Sequence, residues 1–291
     1  QVTVDGGTYT AWDVSSVIEM IGMFERAESF NQDISNWDVS SVTDMPNMFK
    51  HAESFNQNLS GWNVSNVIDM HGMFYDAESF DQDISIWNVD NVENMSLMFR
   101  EAENFNQDLS NWDVSSVTNL SYMFEGATGF NQDISNWDVS SVVNMHTMFR
   151  DAESFNQNLS DWNVSSVTDM ENMFLGAYAL SDLNKCAIHT SFSTNDAWPY
   201  DWSDLCFAYA FQSNEELQTA VDLWVSDYAS ALSIYGLIQY WDVSLITDMS
   251  SLFSDKSTFN DDISSWDVSS VTNMWGMFYE ATSFNGDIST W

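Results

Sequence analysis

Carboxylates recur at fixed spacing and are the side chains of this chain that could do chemistry. The 291 residues include 44 Asp and Glu against 6 Lys and Arg, a formal net charge of −38. Hard divalent cations prefer oxygen ligands, so a column of aspartates predicts Ca²⁺ binding, while the alternative is a solvated acidic surface without ions. The candidate positions share one place in a repeat, and we call them the acidic column: Asp33, Asp83, Asp108 and Asp133.

Catalytic constellations are not indicated. Paired carboxylates for glycoside hydrolysis can be drawn anywhere on such a column, and therefore identify nothing. No G-x-S-x-G motif, P-loop or G-x-G-x-x-G motif occurs, and serine repeats too regularly to be a nucleophile. His71 and His146 share a repeat position three repeats apart, too far to share one zinc ion. We expect no enzyme, no catalytic residue and no cofactor apart from the open question of Ca²⁺.

Two cysteines, Cys186 and Cys206, lie together in the one stretch without repeats. They predict a disulfide in an end-cap, and hence an oxidising compartment. Two reduced thiols in the core are the alternative. Of the N-x-S/T triplets, those at Asn94 and Asn119 are the better candidates for glycosylation, because they fall on the predicted helical side.

The composition excludes several classes of protein. The net charge disfavours nucleic acid and anionic lipid as partners. Apolar residues are 44% and aromatic residues 15%, too many for a disordered chain. No run of about 18 apolar residues occurs, so no insertion into a membrane is expected in this segment. The chain starts at Gln1 without a signal-like segment, which suggests a processed or trimmed product.

A 25-residue repeat accounts for most of the chain. The first nine repeats have a Trp followed by Asp or Asn and Val, then an apolar-Phe pair, and all but one of them then have a second Phe, which Leu180 replaces after Trp162. Such a unit buries its aromatic side chains only when copies stack, which indicates stability from contacts between neighbours. The Trp column, predicted to be buried core, is Trp12, Trp37, Trp62, Trp87, Trp112, Trp137, Trp162, Trp241, Trp266 and Trp291.

The spacing within one repeat predicts a strand and a helical turn. Ile34-x-x-Trp37-x-Val39 has the leucine-rich-repeat spacing, and the alternation over 36–40 is typical of a strand with one buried face. Over 43–52 the apolar residues recur every three or four positions, which predicts one or two short helical turns. The predicted fold is an α/β repeat solenoid: a leucine-rich-repeat-like stack of short parallel strands, with short helical turns on the other face.

The phrase FNQDISNWDVSSVTNMxxMF resembles the repeat of BspA-like leucine-rich-repeat surface proteins. The resemblance covers most of the chain, in several columns at fixed spacing. It implies an extracellular or surface-anchored repeat protein without enzymatic activity. Its implications for specific partners are few.

Four segments are predicted along the chain. Residues 1–179 form a first array with seven Trp repeats, and 180–212 form the disulfide-containing end-cap. Residues 213–238 form a helical N-terminal cap, since Ser213-x-x-Glu216 is a capping box and a second helix from Asp227 to Tyr235 ends at Gly236. Residues 239–291 form a second array, open at its C-terminal end.

The function predicted from these features is a binding or adhesion scaffold with a protein or glycan partner at a surface. The residue before each Trp varies from repeat to repeat, while the positions on either side hardly change. We call this position the variable column and expect it on a concave strand face. The alternative is a subunit that assembles end to end, because Thr8–Trp12 and Ser289–Trp291 have the same repeat phase. The variable column is Ala11, Asn36, Gly61, Ile86, Asn111, Asn136, Asp161, Tyr240 and Ser265.

Overall fold

The computed structural model describes residues 2–4, 7–9 and 12–291. Two short strands, Val2–Val4 (β1) and Gly7–Tyr9 (β2), pair as an antiparallel ribbon. Thr10 and Ala11, the next residues of the Thr8–Trp12 segment, lie outside the described residues. The helices are Asp182–Phe192 (α1), Asn214–Ser226 (α2) and Tyr228–Tyr235 (α3), with 3-10 helices at Ser203–Leu205 and Ile238–Tyr240.

Each repeat is a coil made of consecutive β-turns. In the coil of Trp37, the Trp37 N–H donates to the Ile34 carbonyl at 3.0 Å, and Val42 donates to Val39 at 2.9 Å. Four further turns follow in the same coil, closed by bonds of 3.3, 3.1, 3.0 and 2.9 Å from the N–H groups of Met48, Lys50, Ala52 and Phe55. Most of these turns are flanked by apolar residues that point to the inside of the stack, and the chain returns to its starting side after each repeat.

Backbone hydrogen bonds between coils hold the stack together. Alternate amides of one coil donate to the next: Met45 to the Asp69 carbonyl at 3.0 Å and Asn47 to the His71 carbonyl at 2.7 Å. The same register recurs from coil to coil through the first array. Because these amides bond outwards to a neighbour, each coil depends on the coil beside it, as in other repeat proteins.

The predicted α/β solenoid with a stack of parallel strands is therefore wrong. Residues 35–36 form a turn, and between described coils the parallel pairing is reduced to single bridges such as Asp44 with Asp69. The predicted helical segment 43–52 is wrong too, because its alternate amides donate to the next coil and leave no i to i−4 ladder. A chain of turns satisfies the same three- and four-residue apolar spacing that a helix would.

Left-handed backbone conformation is the local feature that breaks the helix. Asn47 and His51 have φ of 56°, and equivalent positions in other coils repeat this value closely. Asn and Gly tolerate this region, and Gly72 and Gly126 occupy these two positions in other coils. Bulkier residues such as Leu97 (φ 61°) are held there by the stack on both sides.

Aromatic rows fill the core of the stack. The centre of the Phe49 ring lies 4.0 Å from that of Phe55 in its own coil and 5.6 Å from that of Phe74 in the next coil. The rings are nearly parallel. The predicted burial of the Trp column is confirmed within the stack, where Trp112 is 3% exposed, but is wrong at Trp12, which is 74% exposed. The Trp residues that are 2–3% exposed are Trp62, Trp87, Trp112, Trp137, Trp162, Trp241 and Trp266, and those that are only partly buried are Trp37 and Trp291.

The chain divides into two compact units. The first comprises Gln1–Asn184 with Ser191–Tyr200, and the second comprises Lys185–Thr190 with Asp201–Trp291. In the first unit, the 191–200 segment covers the last coil: the Tyr200 hydroxyl accepts a hydrogen bond from the Phe174 N–H at 2.8 Å. Asn195 donates from Nδ2 to the carbonyls of Val164 and Val167 at 2.7 and 2.9 Å.

The two helices predicted after residue 212 are confirmed. The Ser213 hydroxyl accepts from the Glu216 N–H, and helix α3 is flanked by Asp227 and Gly236 as predicted. The Glu216 carboxylate does not complete a reciprocal capping box. It accepts from the Gln212 N–H at 2.8 Å and from the Tyr209 hydroxyl at 2.6 Å. Leu217, Ala220, Val221 and Trp224 of α2 are buried in the core of the second unit, together with Trp241.

Candidate binding surface

The variable column lies at the tips of β-turns and not on a strand face. Each residue from Asn36 to Asp161 is the third residue of the turn that the following Trp N–H closes. Their side chains are exposed, Ile86 to 73%, while the flanking residues Ile84 and Trp87 are 0% and 3% exposed. Ala11 lies outside the described residues. The described members in the first array are Asn36, Gly61, Ile86, Asn111, Asn136 and Asp161.

The acidic column consists of Asx-turn acceptors. The Asp108 Oδ1 accepts from the Ser110 N–H at 2.8 Å, and Asp33, Asp83 and Asp133 make the same bond to the serine two residues on, at 2.9 Å. Asparagine accepts equally well, as Asn58 does in the same column, at 2.9 Å. The interchange of Asp and Asn along the sequence follows from this turn.

Two further columns use the same turn. Beside the Trp, Asp113 accepts from the Ser115 N–H at 3.0 Å. At the bridge between coils, Asp69 accepts from the His71 N–H at 2.9 Å. The Asx-x-Ser spacing in the sequence indicates these turns. It gives a structural reason for many of the regularly spaced Asp residues.

These hydrogen bonds lower the pKa of the carboxyl groups. For Asp108 and Asp113, the bonds from the serine side chain and then the serine backbone hold the pKa below its usual value. The neighbouring carboxylates Asp83 and Asp138 act in the opposite direction, but are the weaker influence. The ionised form is therefore favoured by the fold in spite of the column of like charges.

The lowered pKa values predict how the stability depends on pH. A group whose folded pKa is depressed contributes stability above its unfolded pKa and loses it as the pH falls through the folded pKa. The thermal midpoint of the native chain should therefore fall, relative to that of the double variant Asp113→Asn, Asp138→Asn, as the pH is lowered from 5 to 2.5. We expect the difference between the two thermal midpoints to change by about 2 °C over this pH range, as measured by circular dichroism melting.

Asparagine keeps the turn acceptor at every pH, which makes this variant the reference. As a control, Glu103→Gln removes one exposed carboxylate outside the Asx turns and should not reproduce the change. If the native chain and the double variant kept a constant difference across this pH range, the link between Asx turns and stability would be refuted.

Metal coordination gains no support from the arrangement of side chains. Among the described residues, no group of three or more His, Cys, Asp or Glu side chains is placed to hold a metal ion. The acidic column directs each Oδ1 to its own backbone turn. Binding of Ca²⁺ at Asp33, Asp83, Asp108 or Asp133 stays a prediction.

A row of paired charges runs along the position that follows the apolar-Phe pair. Arg100 Nε lies 2.6 Å from Glu125 Oε2, and Arg150 Nη1 lies 3.8 Å from Glu125 Oε1. The Arg100 guanidinium and the Lys50 ammonium lie 4.9 and 5.1 Å from the centre of the Tyr75 ring. Burial raises the pKa of Glu125, and the two arginines oppose this. Three of the six cations are thus engaged within the stack.

The candidate glycosylation positions lie in the bridge between coils. Asn94 pairs with Asn119, and each Oδ1 accepts from its own sequon serine, with Oγ distances of 2.7 and 2.8 Å. Ser96 and Ser121 are 3% and 6% exposed. Modification of Asn94 and Asn119 stays a prediction.

The predicted disulfide is confirmed. Cys186 of α1 is bonded to Cys206, with their Cα atoms 5.3 Å apart. Helix α1 itself was not expected, because its apolar residues Leu183, Cys186 and Ile188 do not follow a clear helical period. Cys186 and Ile188 are nevertheless buried.

Sequence reasoning missed a cavity in the first unit. It has a volume of about 470 Å³ and lies between the last coil and the 191–200 segment. Its polar walls come from Asn163, Ser165, Ser191, Thr194 and Asp196. No signal in the repeat pattern marks it, since half of its wall comes from outside the repeats.

Comparison with known proteins assigns the family. The model of the family described as Mycoplasma protein of unknown function, DUF285, matches residues 3–109, 82–186 and 207–291. This chain belongs to the DUF285 family. The match to DUF285 falls on both repeat arrays and follows the repetition seen in the structure. No curated protein and no solved structure matches the chain.

Within residues 2–4, 7–9 and 12–291, none of the helices has the length and apolar character needed to span a bilayer.

Proposed function

We propose that this DUF285 chain is a non-enzymatic, secreted or cell-surface scaffold that binds a protein or glycan partner through the variable column. The observation that carries the proposal is the contrast between neighbouring positions. Ile84 and Trp87, whose types hardly change from coil to coil, are buried, while Ile86 between them is 73% exposed. The side chains that differ between coils are those that solvent, or a partner, can reach.

The chemistry of the column also supports contact with a partner. In a chain of net charge −38, its six tips from Asn36 to Asp161 carry a single carboxylate. The Asn amides and the Ile86 side chain can offer a partner hydrogen bonds and an apolar contact without a charge of their own to desolvate. Because backbone hydrogen bonds fix the turns, little ordering is required when a partner binds.

An extracellular location is part of the proposal. The disulfide between Cys186 and Cys206 is the kind of bond that forms and persists in oxidising compartments. The resemblance of the repeat phrase to BspA-like surface proteins points the same way, although the leucine-rich-repeat type of fold does not apply. End-to-end assembly, the alternative, stays a prediction.

The test places positive charge on the column without changing the core. The variant Ile86→Arg, Asn111→Arg and the native chain should be compared on arrays of glycans and of surface proteins. The control Glu53→Gln, Glu103→Gln makes the same change of net charge at exposed residues outside the column. We expect a ligand of the native chain to lose at least tenfold in affinity with the column variant and less than twofold with the control.

Two results would contradict the proposal. One is a ligand whose affinity changes equally in both variants, because the effect would then be general electrostatics. The other is the absence of any ligand for the native chain on both arrays. Thermal melting of both variants confirms that they are folded before binding is compared.

A further inference from the structure

The cavity at the end of the first array is a site separate from the variable column. One wall is the turn of the last coil, with Asn163 and Ser165, and the other is the covering segment, with Ser191, Thr194 and Asp196. Its volume is about 470 Å³, and it is open to solvent, since Asn163, Ser165, Thr194 and Asp196 are exposed. All of these residues belong to the first unit.

The cavity exists because the covering segment does not reproduce the next coil. Inside the stack, the following coil meets this turn directly: Asn66 and Asn91 donate to the Ser40 and Ser65 carbonyls, both at 2.7 Å. At the last coil, Asn195 instead bonds the Val164 and Val167 carbonyls. Asn195 therefore contacts carbonyls further inside the coil, and the turn around Asn163 is left uncovered beside the cavity.

The covering segment, residues 191–200, is fixed in place, so the cavity is preformed. Asn195 uses its amide on two carbonyls of the coil and its Oδ1 on the Ala197 N–H at 2.7 Å. The Trp198 ring packs edge-on against Phe192 at 5.3 Å and against Phe174 at 6.2 Å. A preformed site loses less entropy on binding than one that must close.

The walls are short, mostly neutral hydrogen-bonding groups. Ser165 and Ser191 provide hydroxyls that can donate or accept, and the Thr194 hydroxyl, which donates to the Ser191 carbonyl at 3.3 Å, can accept. Asn163 uses its Oδ1 on the Ser165 N–H at 3.2 Å, which leaves its Nδ2 as a donor. Asp196 is exposed and adds one carboxylate acceptor, and no Lys, Arg or His is among the lining residues. An anionic ligand is therefore disfavoured.

We propose that this cavity binds one residue of a neutral carbohydrate. Adjacent hydroxyls of a sugar can donate to the Asp196 carboxylate, while Asn163 and the serine hydroxyls meet the remaining oxygens. Trp162 is only 2% exposed, so its ring offers no stacking face, and recognition is by hydrogen bonds. For a single sugar bound in this way we expect a dissociation constant of about 1 mM. This site stands whether or not the variable column binds a partner.

The experiment is a titration of the full chain with neutral hexoses, N-acetylhexosamines and their oligomers, followed by saturation-transfer-difference NMR. Ser165→Phe fills the cavity, and Asp196→Ala removes its carboxylate. The matched control is Glu153→Ala, which removes one exposed carboxylate of the first array that lies outside both the cavity and the variable column. We expect either cavity variant to weaken binding at least tenfold and the control to change it less than twofold.

Several outcomes would overturn the proposal. These are no saturation transfer to any sugar at 20 mM, binding that survives Ser165→Phe, or a response to CaCl₂ or to a simple amine that depends on Asp196 while sugars give none. The last result would identify a cation site. Melting curves check the folding of each variant, and Asp196→Ala, at an exposed position, keeps the test valid if Ser165→Phe does not fold. The variant Ile86→Arg, Asn111→Arg should retain sugar binding, which separates this site from the variable column.

Discussion

Substitution of Trp112 by alanine is expected to lower the free energy of unfolding by about 3–5 kcal/mol. The side chain is 3% exposed and lies in the middle of the first array. Its ring is 6.3 Å from that of Phe99, and its Nε1–H donates to the Ile84 carbonyl of the preceding coil at 3.1 Å. Alanine would leave a cavity between coils and a buried carbonyl without its donor. Urea denaturation followed by circular dichroism measures the loss.

The chain contains its own control for this prediction. Trp12 occupies the same repeat position, but is 74% exposed, so Trp12→Ala should cost about 0.5 kcal/mol or less. Trp112→Phe keeps most of the buried area and removes only the donor to Ile84, which should cost about 1–3 kcal/mol. Equal losses for Trp112→Ala and Trp12→Ala would show that burial in the stack does not determine the contribution of this column.

The pattern of apolar residues predicts which side chains are buried but not the element that buries them. Trp112 and Val114 alternate with exposed neighbours, as in a strand, yet they lie between two β-turns. Met45 and Met48 have helical spacing, yet a turn joins them as well. A periodic apolar pattern shows only that side chains at a fixed spacing lie on the same side of the chain. A series of β-turns places them there as regularly as a helix does.

The information that distinguishes these alternatives is in the polar residues. Asp108 and Ser110 have the Asx-turn spacing, and Asn47 and Gly72 mark a left-handed position. By contrast, α2 and α3 are predictable because their signals are local: a serine that caps the first turn and Gly236 with positive φ. Strong local signals at an element's ends were more informative than the repeat period.

The candidate sites differ in the same way. Exposure of Ile86 and its equivalents follows from sequence alone, because one repeat position varies between positions that do not. The cavity does not follow, since Ser165 and Asp196 are brought together only by the bonds of Asn195 to the last coil. A site between a repeat and a non-repeated segment depends on the contact between them, and the repeat pattern does not predict that contact.

Reduction of the disulfide between Cys186 and Cys206 is expected to lower the free energy of unfolding by about 2–4 kcal/mol. The bond closes a loop with a sequence separation of 20 residues, and opening it gives the unfolded chain more conformational freedom. Cys186 is 1% exposed, in a cluster with Phe211 and Leu217, so native packing holds it in place in either redox state. The measurement is urea denaturation with and without a phosphine reductant.

The double variant Cys186→Ala, Cys206→Ala is the control, and it should unfold near the reduced chain's midpoint and not respond to the reductant. The closed loop includes Ser191–Tyr200, whose Tyr200 hydroxyl accepts from the Phe174 N–H at 2.8 Å. Reduction should therefore speed hydrogen exchange at the Phe174 amide more than at the Phe124 amide, which bonds the Met148 carbonyl within the stack at 2.9 Å. Identical denaturation midpoints for oxidised and reduced protein, or two free thiols on alkylation without reductant, would show that the bond does not stabilise this fold.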